Sequence, residues 1–153
     1  MKDKKLISRK NKNISLIKLD PDNQSHGRYL YSFLKRRTFN ISHNKMPSYN
    51  EHLQFVRENP YRKWFLISYK SDFIGSVYFL YNNGIGLDLN IENYSLVEDI
   101  LDLIFKEIKP LKAINSVRTN NFHINIPPTN LKFKKIIQNN GGVLKQNTFE
   151  FEN

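Results

Sequence analysis

The spacing of apolar residues in the first part of the chain predicts one strand followed by two helices. Residues 14–19 alternate between apolar and polar side chains, which is typical of a strand with one buried face. After a turn at residues 20–23, apolar side chains recur at helical spacing from residue 29 to residue 34. A second helix is predicted to begin at Ser48, because Ser48 and Glu51 have the spacing of a capping box.

The middle of the chain changes to the period of strands and then returns to that of a helix. Residues 64–69, 73–81 and 85–91 are rich in aromatic and β-branched side chains and are separated by short turns, which predicts an antiparallel meander. Residues 97–108 then carry one continuous apolar stripe at helical spacing. Ser95 and Glu98 have the spacing of a second capping box at the start of this helix.

The last part of the chain predicts two short strands around one helix. Residues 122–126 alternate as a strand, and a helix follows the two prolines at 127 and 128 and closes at Gly141. Residues 143–151 are predicted to form a final strand. The order β-α-α-β-β-β-α-β-α-β indicates a single α/β domain with a central mixed, mostly antiparallel sheet flanked by helices.

Composition excludes several classes of function. With 153 residues, the chain fits one domain. It contains no cysteine, which removes disulfides, thiolate nucleophiles and cysteine-based zinc sites, and its four histidines have no metal-binding spacing, so we expect no metal site. No apolar run approaches the ~20 residues of a membrane span, and residues 1–13 have no signal-peptide core. We therefore expect a cytoplasmic protein without a membrane partner.

Half of the net charge of +10 lies in the first 13 residues of the chain. The basic residues there are Lys2, Lys4, Lys5, Arg9, Lys10 and Lys12. We expect residues 1–13 to form a basic, disordered tail and residues 14–153 to form the domain. The remaining charge is spread over the rest of the chain. Binding of a nucleic acid through the tail is therefore the least favoured of three functional hypotheses. The sequence leaves the oligomeric state open.

Several segments resemble the GCN5-related N-acetyltransferases, known as the GNAT family. The segments that carry this resemblance are residues 46–56, 59–67, 74–78, 85–87 and 122–130. The resemblance covers about residues 14–151 and implies a GNAT-like fold. It also implies transfer of an acetyl group from acetyl-CoA to an amine within a ternary complex. The branch resembled belongs to sugar and surface-polymer gene neighbourhoods, which implies a small-molecule acceptor such as an amino sugar nucleotide.

The resemblance also implies which residues contact the acetyl donor. The backbone of Leu87, Asp88 and Leu89 would accept the pantetheine arm if the fold is kept. Asn125 and Asn130 lie in the family's strand-to-helix segment, and Asn130 matches the asparagine that usually meets the pantetheine side. Asn130 is equally well explained as an ordinary helix cap.

Catalytic and acceptor residues follow from the same resemblance. Asp88 could act as the base, and Tyr78 places a hydroxyl where it could face the cleft. His52, Tyr61 and Arg62 lie where the family's acceptor site is formed. For each of these side chains, simple packing or surface exposure remains an alternative interpretation.

The segment before the long helix departs from the family pattern. Residues 90–98 contain no glycine, whereas the family has a glycine-containing loop whose backbone amides bind the CoA pyrophosphate. The predicted Ser95–Glu98 capping box would occupy those amides, and Glu92, Glu98 and Asp99 would add repulsion for a phosphate.

Two positions linked to catalysis also differ from the family pattern. Gly84 stands where related sequences often have a glutamate, and Ile137 stands where many have a tyrosine for the leaving thiolate. The second reading is therefore a GNAT-fold protein that has lost catalysis and acts as a binding or regulatory module.

Overall fold

The computed structural model describes residues 5–39 and 45–152 of the chain. These described residues form six strands and four α-helices: β1 (Lys5–Ile7), β2 (Ile14–Lys18), α1 (Gln24–Arg36), α2 (Tyr49–Glu58), β3 (Lys63–Tyr69), β4 (Asp72–Phe79), β5 (Gly84–Leu89), α3 (Val97–Glu107), β6 (His123–Ile124) and α4 (Leu131–Asn139). A short 3-10 helix, Ile91–Leu96, leads directly into α3.

The six strands lie in one sheet in the order in which they follow along the chain. Every neighbouring pair is antiparallel except β5 and β6, which are parallel. The parallel pair is possible because the long connection through α3 returns the chain to the same end of the sheet. The predicted mixed, mostly antiparallel sheet is confirmed.

The two faces of the sheet bury different side chains, as the alternation along its strands requires. Val77 and Phe79 of β4 lie in a core with Ile100 and Ile104 of α3. On the other face, Leu66 of β3 packs with Leu30 and Phe33 of α1 and Val56 of α2. The helices α1 and α2 therefore cover one face, and α3 covers the other.

The prediction of a disordered basic tail over residues 1–13 is wrong from residue 5 onward. Residues Lys5–Ile7 pair with β2, and the chain between the strands is closed by a backbone hydrogen bond from Ser8 to Ile14. Ser8 itself is almost completely buried. The sequence pattern did not reveal this short strand, because Lys5, Leu6 and Ile7 directly follow a run of charged residues. Residues 1–4 lie outside the described part of the chain.

The predicted final strand over residues 143–151 is also wrong. Within the described part of the chain these residues join no strand, and their apolar side chains are exposed. The last strand of the sheet is instead β6, which is only two residues long. The predicted helix after the two prolines is present as α4, but it begins at Leu131.

The beginnings of α2 and α3 differ in how they are capped. The predicted capping box of Ser48 and Glu51 is confirmed, with hydrogen bonds in both directions. The predicted box of Ser95 and Glu98 is wrong, because the 3-10 helix continues into α3 and no side chain caps the junction. The backbone of the 3-10 helix, Ile91–Leu96, runs directly into α3 and takes the place of the expected capping side chains.

In residues 5–39 and 45–152, no helix combines the length and apolar character needed to cross a lipid bilayer.

Candidate functional site

The strands β5 and β6 separate soon after they meet. They pair only between Gly84 and His123 and between Ile85 and Ile124. The rest of β5, Gly86–Leu89, pairs with β4 on one side, and on the other side no strand of the described residues pairs with it. An unpaired strand edge presents backbone N–H and C=O groups that can bind an extended ligand.

An apolar cluster lies next to this gap on the α3 face. Tyr94, Val97 and Leu101 pack with Phe133 of α4, and Leu87 and Leu89 of β5 pack against them from the sheet. The gap therefore has an apolar floor on one side and free backbone groups along its β5 edge. This combination fits a long, flexible ligand that has both methylene and amide groups.

The opposite face of β5 carries a carboxylate in an ion pair. Asp88 lies opposite Ser76 of β4, and its Oδ2 is 2.7 Å from Nη2 of Arg37, the residue that ends α1. The side chain of Asp88 is 13% exposed and that of Arg37 is 28% exposed. Asp88 is thus held on the side of the sheet covered by α1 and α2, with Oδ1 making no hydrogen bond to a described residue.

Two tyrosines stack beside this ion pair. The rings of Tyr61 and Tyr78 are nearly parallel, with centroids 4.0 Å apart. The Tyr78 ring also lies over Gly86, where a Cβ atom would overlap it, so the glycine makes the stack possible. Burial raises the pKa of the Tyr61 hydroxyl well above its ordinary value, and the neighbouring Tyr78 raises it further. Tyr61 therefore keeps its proton and can donate a hydrogen bond.

A cavity of about 340 Å³, wide open to solvent, lies between the start of α3 and α4. Its lining residues are Tyr94, Ser95, Glu98, Lys132 and Ile136. Lys132 provides the positive charge, and its Nζ lies 5.8 Å from the centre of the Tyr94 ring.

The carboxylates near this cavity are paired with the N-terminal segment. Lys10 forms an ion pair with Glu98 and a second, at 3.4 Å, with Asp99, and Asn11 donates a hydrogen bond to Asp99. The repulsion expected from Glu98 and Asp99 is therefore offset by the positive charge of Lys10. The supposed tail provides the neutralising groups, which sequence reasoning could not place beside α3.

Two of the predicted acceptor residues lie outside the cluster formed by Asp88, Arg37, Tyr61 and Tyr78. His52 is 7% exposed and is packed against the Tyr31 ring between α2 and α1. Its Nε2 makes no hydrogen bond to any residue that the structure describes, and burial lowers the pKa of the imidazole. Arg62 donates from Nη2 to the carbonyl of Lys109, which follows α3. Both side chains have structural roles in the positions the structure gives them.

The predicted donor contacts Asn125 and Asn130 differ in their surroundings. Asn130 is buried; its Oδ1 accepts from the backbone N–H of Phe133, and its Nδ2 donates to the hydroxyl of Tyr94 at 3.0 Å. It caps α4, as the alternative interpretation expected. Asn125 is exposed directly after β6, beside the gap between β5 and β6.

Arg37 and Lys132 are the members of the site that the sequence did not indicate. Arg37 is the last of three consecutive cations, and only its position at the end of α1 brings it to Asp88. Lys132 is one of three lysines on α4, and helical periodicity places it on a different side from Lys134. In both cases the useful signal lies in tertiary placement.

Comparison with solved structures identifies the fold. The microcin C7 self-immunity acetyltransferase MccE, determined in complex with acetyl-CoA and AMP, is 17% identical, with a TM-score of 0.62 over 86% of this chain and 79% of its own. An acetyltransferase from Salmonella typhimurium, which modifies the N-terminal serine of the 50S ribosomal subunit protein L7/L12, is 16% identical, with a TM-score of 0.61 over 90% and 83%.

A third structure, described as a possible acetyltransferase from Clostridium difficile 630, is 12% identical, with a TM-score of 0.57 over 91% of this chain and 97% of its own. No protein-family model and no curated protein matches the sequence. The GNAT-like fold predicted from the sequence is confirmed: the chain has the fold of the GCN5-related N-acetyltransferases.

Proposed function

We propose that the protein is an N-acetyltransferase that transfers the acetyl group of acetyl-CoA to the amine of a small molecule. The separation of β5 from β6 carries this proposal, because it leaves the backbone of Gly86–Leu89 free beside an apolar floor. The pantetheine arm of CoA has amides that can pair with such an edge and methylenes that can cover such a floor. The three acetyltransferases that share the fold support the reaction type.

The donor is proposed to run along β5 towards the cavity at α4. The backbone of Leu87, Asp88 and Leu89 would pair with the pantetheine arm, and Asn125 would contact it from the β6 side. Lys132 would meet the phosphates, since it is the cation that lines the cavity. Lys10 supports this placement by neutralising Glu98 and Asp99.

The acceptor is proposed to bind on the face covered by α1 and α2. Oδ1 of Asp88 would take the proton from the ammonium group, so that the neutral amine can attack the thioester carbonyl. Backbone N–H groups of the β5 edge would stabilise the oxyanion. As the new C–N bond replaces the C–S bond, the CoA thiolate would leave and take up the second proton, which the attacking nitrogen loses. The stacked Tyr61 and Tyr78 would form one wall of the acceptor site, with the protonated Tyr61 hydroxyl as a hydrogen-bond donor.

The acceptor class of amino sugar nucleotides remains part of this proposal, because it comes from the branch of the family that the sequence resembles. Acetyl-CoA is a metabolite of the cytoplasm, and the proposal places the reaction there.

An assay of released CoA thiol tests the proposal. The chain contains no cysteine, so a thiol reagent detects CoA without background from the protein. A panel of amino sugars, amino sugar nucleotides and other small amines should contain at least one that releases CoA in proportion to acetylated amine. Acetyl-CoA binding without turnover on any amine would favour the binding-module reading, and no binding of acetyl-CoA would refute the proposed function.

A further inference from the structure

The guanidinium of Arg37 uses only part of its hydrogen-bonding capacity on Asp88. Its Nη2 donates to Oδ2 of Asp88 at 2.7 Å, and within residues 5–39 and 45–152 the guanidinium makes no other hydrogen bond. A guanidinium presents further N–H donors in the same plane and has no acceptor. Because the Arg37 side chain is 28% exposed, a ligand on the acceptor face can reach these remaining donors.

The hydroxyl of Tyr61 lies in the electrostatic field of the same guanidinium. Burial raises the pKa of this hydroxyl and Tyr78 raises it further, whereas the positive charge of Arg37 acts in the opposite direction. A charge has such an effect only at short range, so Arg37 and the hydroxyl are close together. The net pKa is raised, so the hydroxyl keeps its proton. Arg37 and Tyr61 therefore both provide hydrogen-bond donors beside Asp88.

The end of α1 carries an excess of positive charge. Lys35, Arg36 and Arg37 are consecutive, and among the described residues only Arg37 of the three forms an ion pair. Lys35 and Arg36 instead lie over the rings of Tyr31 and Phe33, at 4.9 and 4.8 Å from the ring centres. One carboxylate thus stands against three cations, and this excess attracts an anion.

The site presents two opposite charges side by side. Oδ1 of Asp88 is available to an ammonium group, and the remaining donors of Arg37 are available to an anion. An amine without a negative charge would satisfy only Asp88. A molecule that carries an ammonium and an anion close together would complement both side chains, so that each charge stays paired when water is displaced.

We propose that Arg37 binds an anionic group of the acceptor, so that the acceptor is an amine that also carries a carboxylate or a phosphate. The ammonium lies at Oδ1 of Asp88, and the anion accepts hydrogen bonds from Arg37 and from the Tyr61 hydroxyl. Arg37 thereby determines specificity in addition to positioning Asp88. This inference rests on the proposed function, because it takes the acceptor to bind on the face covered by α1 and α2.

Matched pairs of amines that differ only in the anionic group test the proposal. Galactosamine 1-phosphate with galactosamine tests a phosphate, and serine with serinamide tests a carboxylate. Calorimetry with and without CoA gives Kd for each amine, and thiol release from acetyl-CoA gives kcat/KM. In at least one pair the native protein should prefer the anionic member by about tenfold or more in Kd, because the contact is a charge-assisted hydrogen bond. The pair that shows the preference identifies the anion.

The variant Arg37→Gln separates anion binding from the positioning of Asp88. Misplacement of Asp88 lowers the activity on both members of a pair by the same factor, whereas loss of an anion contact affects the anionic member alone. The preference should therefore fall to about one in Arg37→Gln and persist in part in Arg37→Lys. Arg36→Gln, which removes the same charge from the neighbouring exposed residue, is the matched control and should keep the full preference.

The outcomes distinguish this inference from the proposed function. Turnover or binding of both members of each pair to the same extent by the native protein would overturn the inference and leave the acetyltransferase proposal standing. A preference that survives in Arg37→Gln would also overturn it. Arg37-dependent binding of the anionic amines without turnover of any amine would support the inference and refute the proposed reaction. Absence of both binding and turnover would refute both.

Discussion

The guanidinium of Arg37 contacts the carboxylate of Asp88 at 2.7 Å and so ties the end of α1 to the free part of β5. Neither side chain is more than a third exposed, and the ion pair lies beside the stacked rings of Tyr61 and Tyr78. Arg37, which lies on a different element, thus fixes the position of Asp88 relative to the acceptor face. A carboxylate held in this way is pre-positioned for proton transfer.

The ion pair is expected to contribute to stability as a coupled unit. In a double-mutant cycle with Arg37→Gln and Asp88→Asn, we expect a coupling free energy of about 1 kcal/mol, since the pair is partly shielded from water. Urea unfolding of the four proteins measures it. A coupling close to zero would mean that the contact does not hold Asp88 in solution.

Loss of the proposed base should reduce turnover without loss of the donor. For Asp88→Asn we expect kcat to fall about 10²- to 10⁴-fold, the range for general-base catalysis, with the Kd for acetyl-CoA nearly unchanged. Thiol release and calorimetry measure the two quantities. Asp72→Asn, which changes an exposed carboxylate at the start of β4, is the control and should retain full activity. Equal activity in both variants would exclude Asp88 as the base.

The proposed phosphate contact can be tested on α4. Lys132→Met should weaken acetyl-CoA binding about tenfold, because a charge-assisted hydrogen bond is worth roughly 1.5–3 kcal/mol before screening by solvent. The effect should shrink as salt is added. Lys134→Met removes the same charge from another side of the helix and should change the affinity little. Similar losses in both variants would indicate only a general effect of net charge.

Stability should depend on pH through His52. Burial lowers the pKa of this imidazole below its ordinary value of 6.5. Between the two pKa values the imidazole is therefore protonated in the unfolded chain and neutral in the folded chain. The free energy of unfolding should therefore be greatest above pH 6.5 and decrease as the pH falls below that value. Unfolding by urea between pH 5 and 8, with both limits about one and a half units from that value, measures this dependence.

The variant His52→Phe isolates this contribution, because it keeps an aromatic ring against Tyr31 and removes the titrating group. The difference in unfolding free energy between the native protein and this variant should change with pH below 6.5. His123→Gln changes an exposed histidine and serves as the control. A constant difference across the pH range would contradict the buried, neutral histidine.

Local patterns predicted most of the helices and strands. Ser48 and Glu51 formed the capping box that their spacing indicated, and the three central strands followed the change to an alternating period. The errors lie where tertiary contacts decide the outcome. Lys5–Ile7 becomes a strand only because β2 offers an edge, and residues 143–151 join no strand although their pattern is that of one.

The candidate site was predicted only in part, for the same reason. Tyr61, Tyr78 and Asp88 were named from the family resemblance, and in the structure the stacked tyrosines lie on the same face of the sheet as Asp88. No local pattern could reveal that Arg37 reaches Asp88, or that Lys10 neutralises Glu98 across 88 residues of sequence. Such pairs depend on the packing of helices against the sheet.

Titration of the protein with acetyl-CoA tests the central claim most directly. A ligand that binds only the folded state stabilises it by RT ln(1 + [L]/Kd), which is about 2.7 kcal/mol at a hundredfold excess over Kd. We predict saturable stoichiometric binding by calorimetry, a matching rise in Tm, and loss of affinity in Lys132→Met. The absence of both heat and thermal shift at millimolar acetyl-CoA would contradict the account, since the gap between β5 and β6 would then not be a donor site.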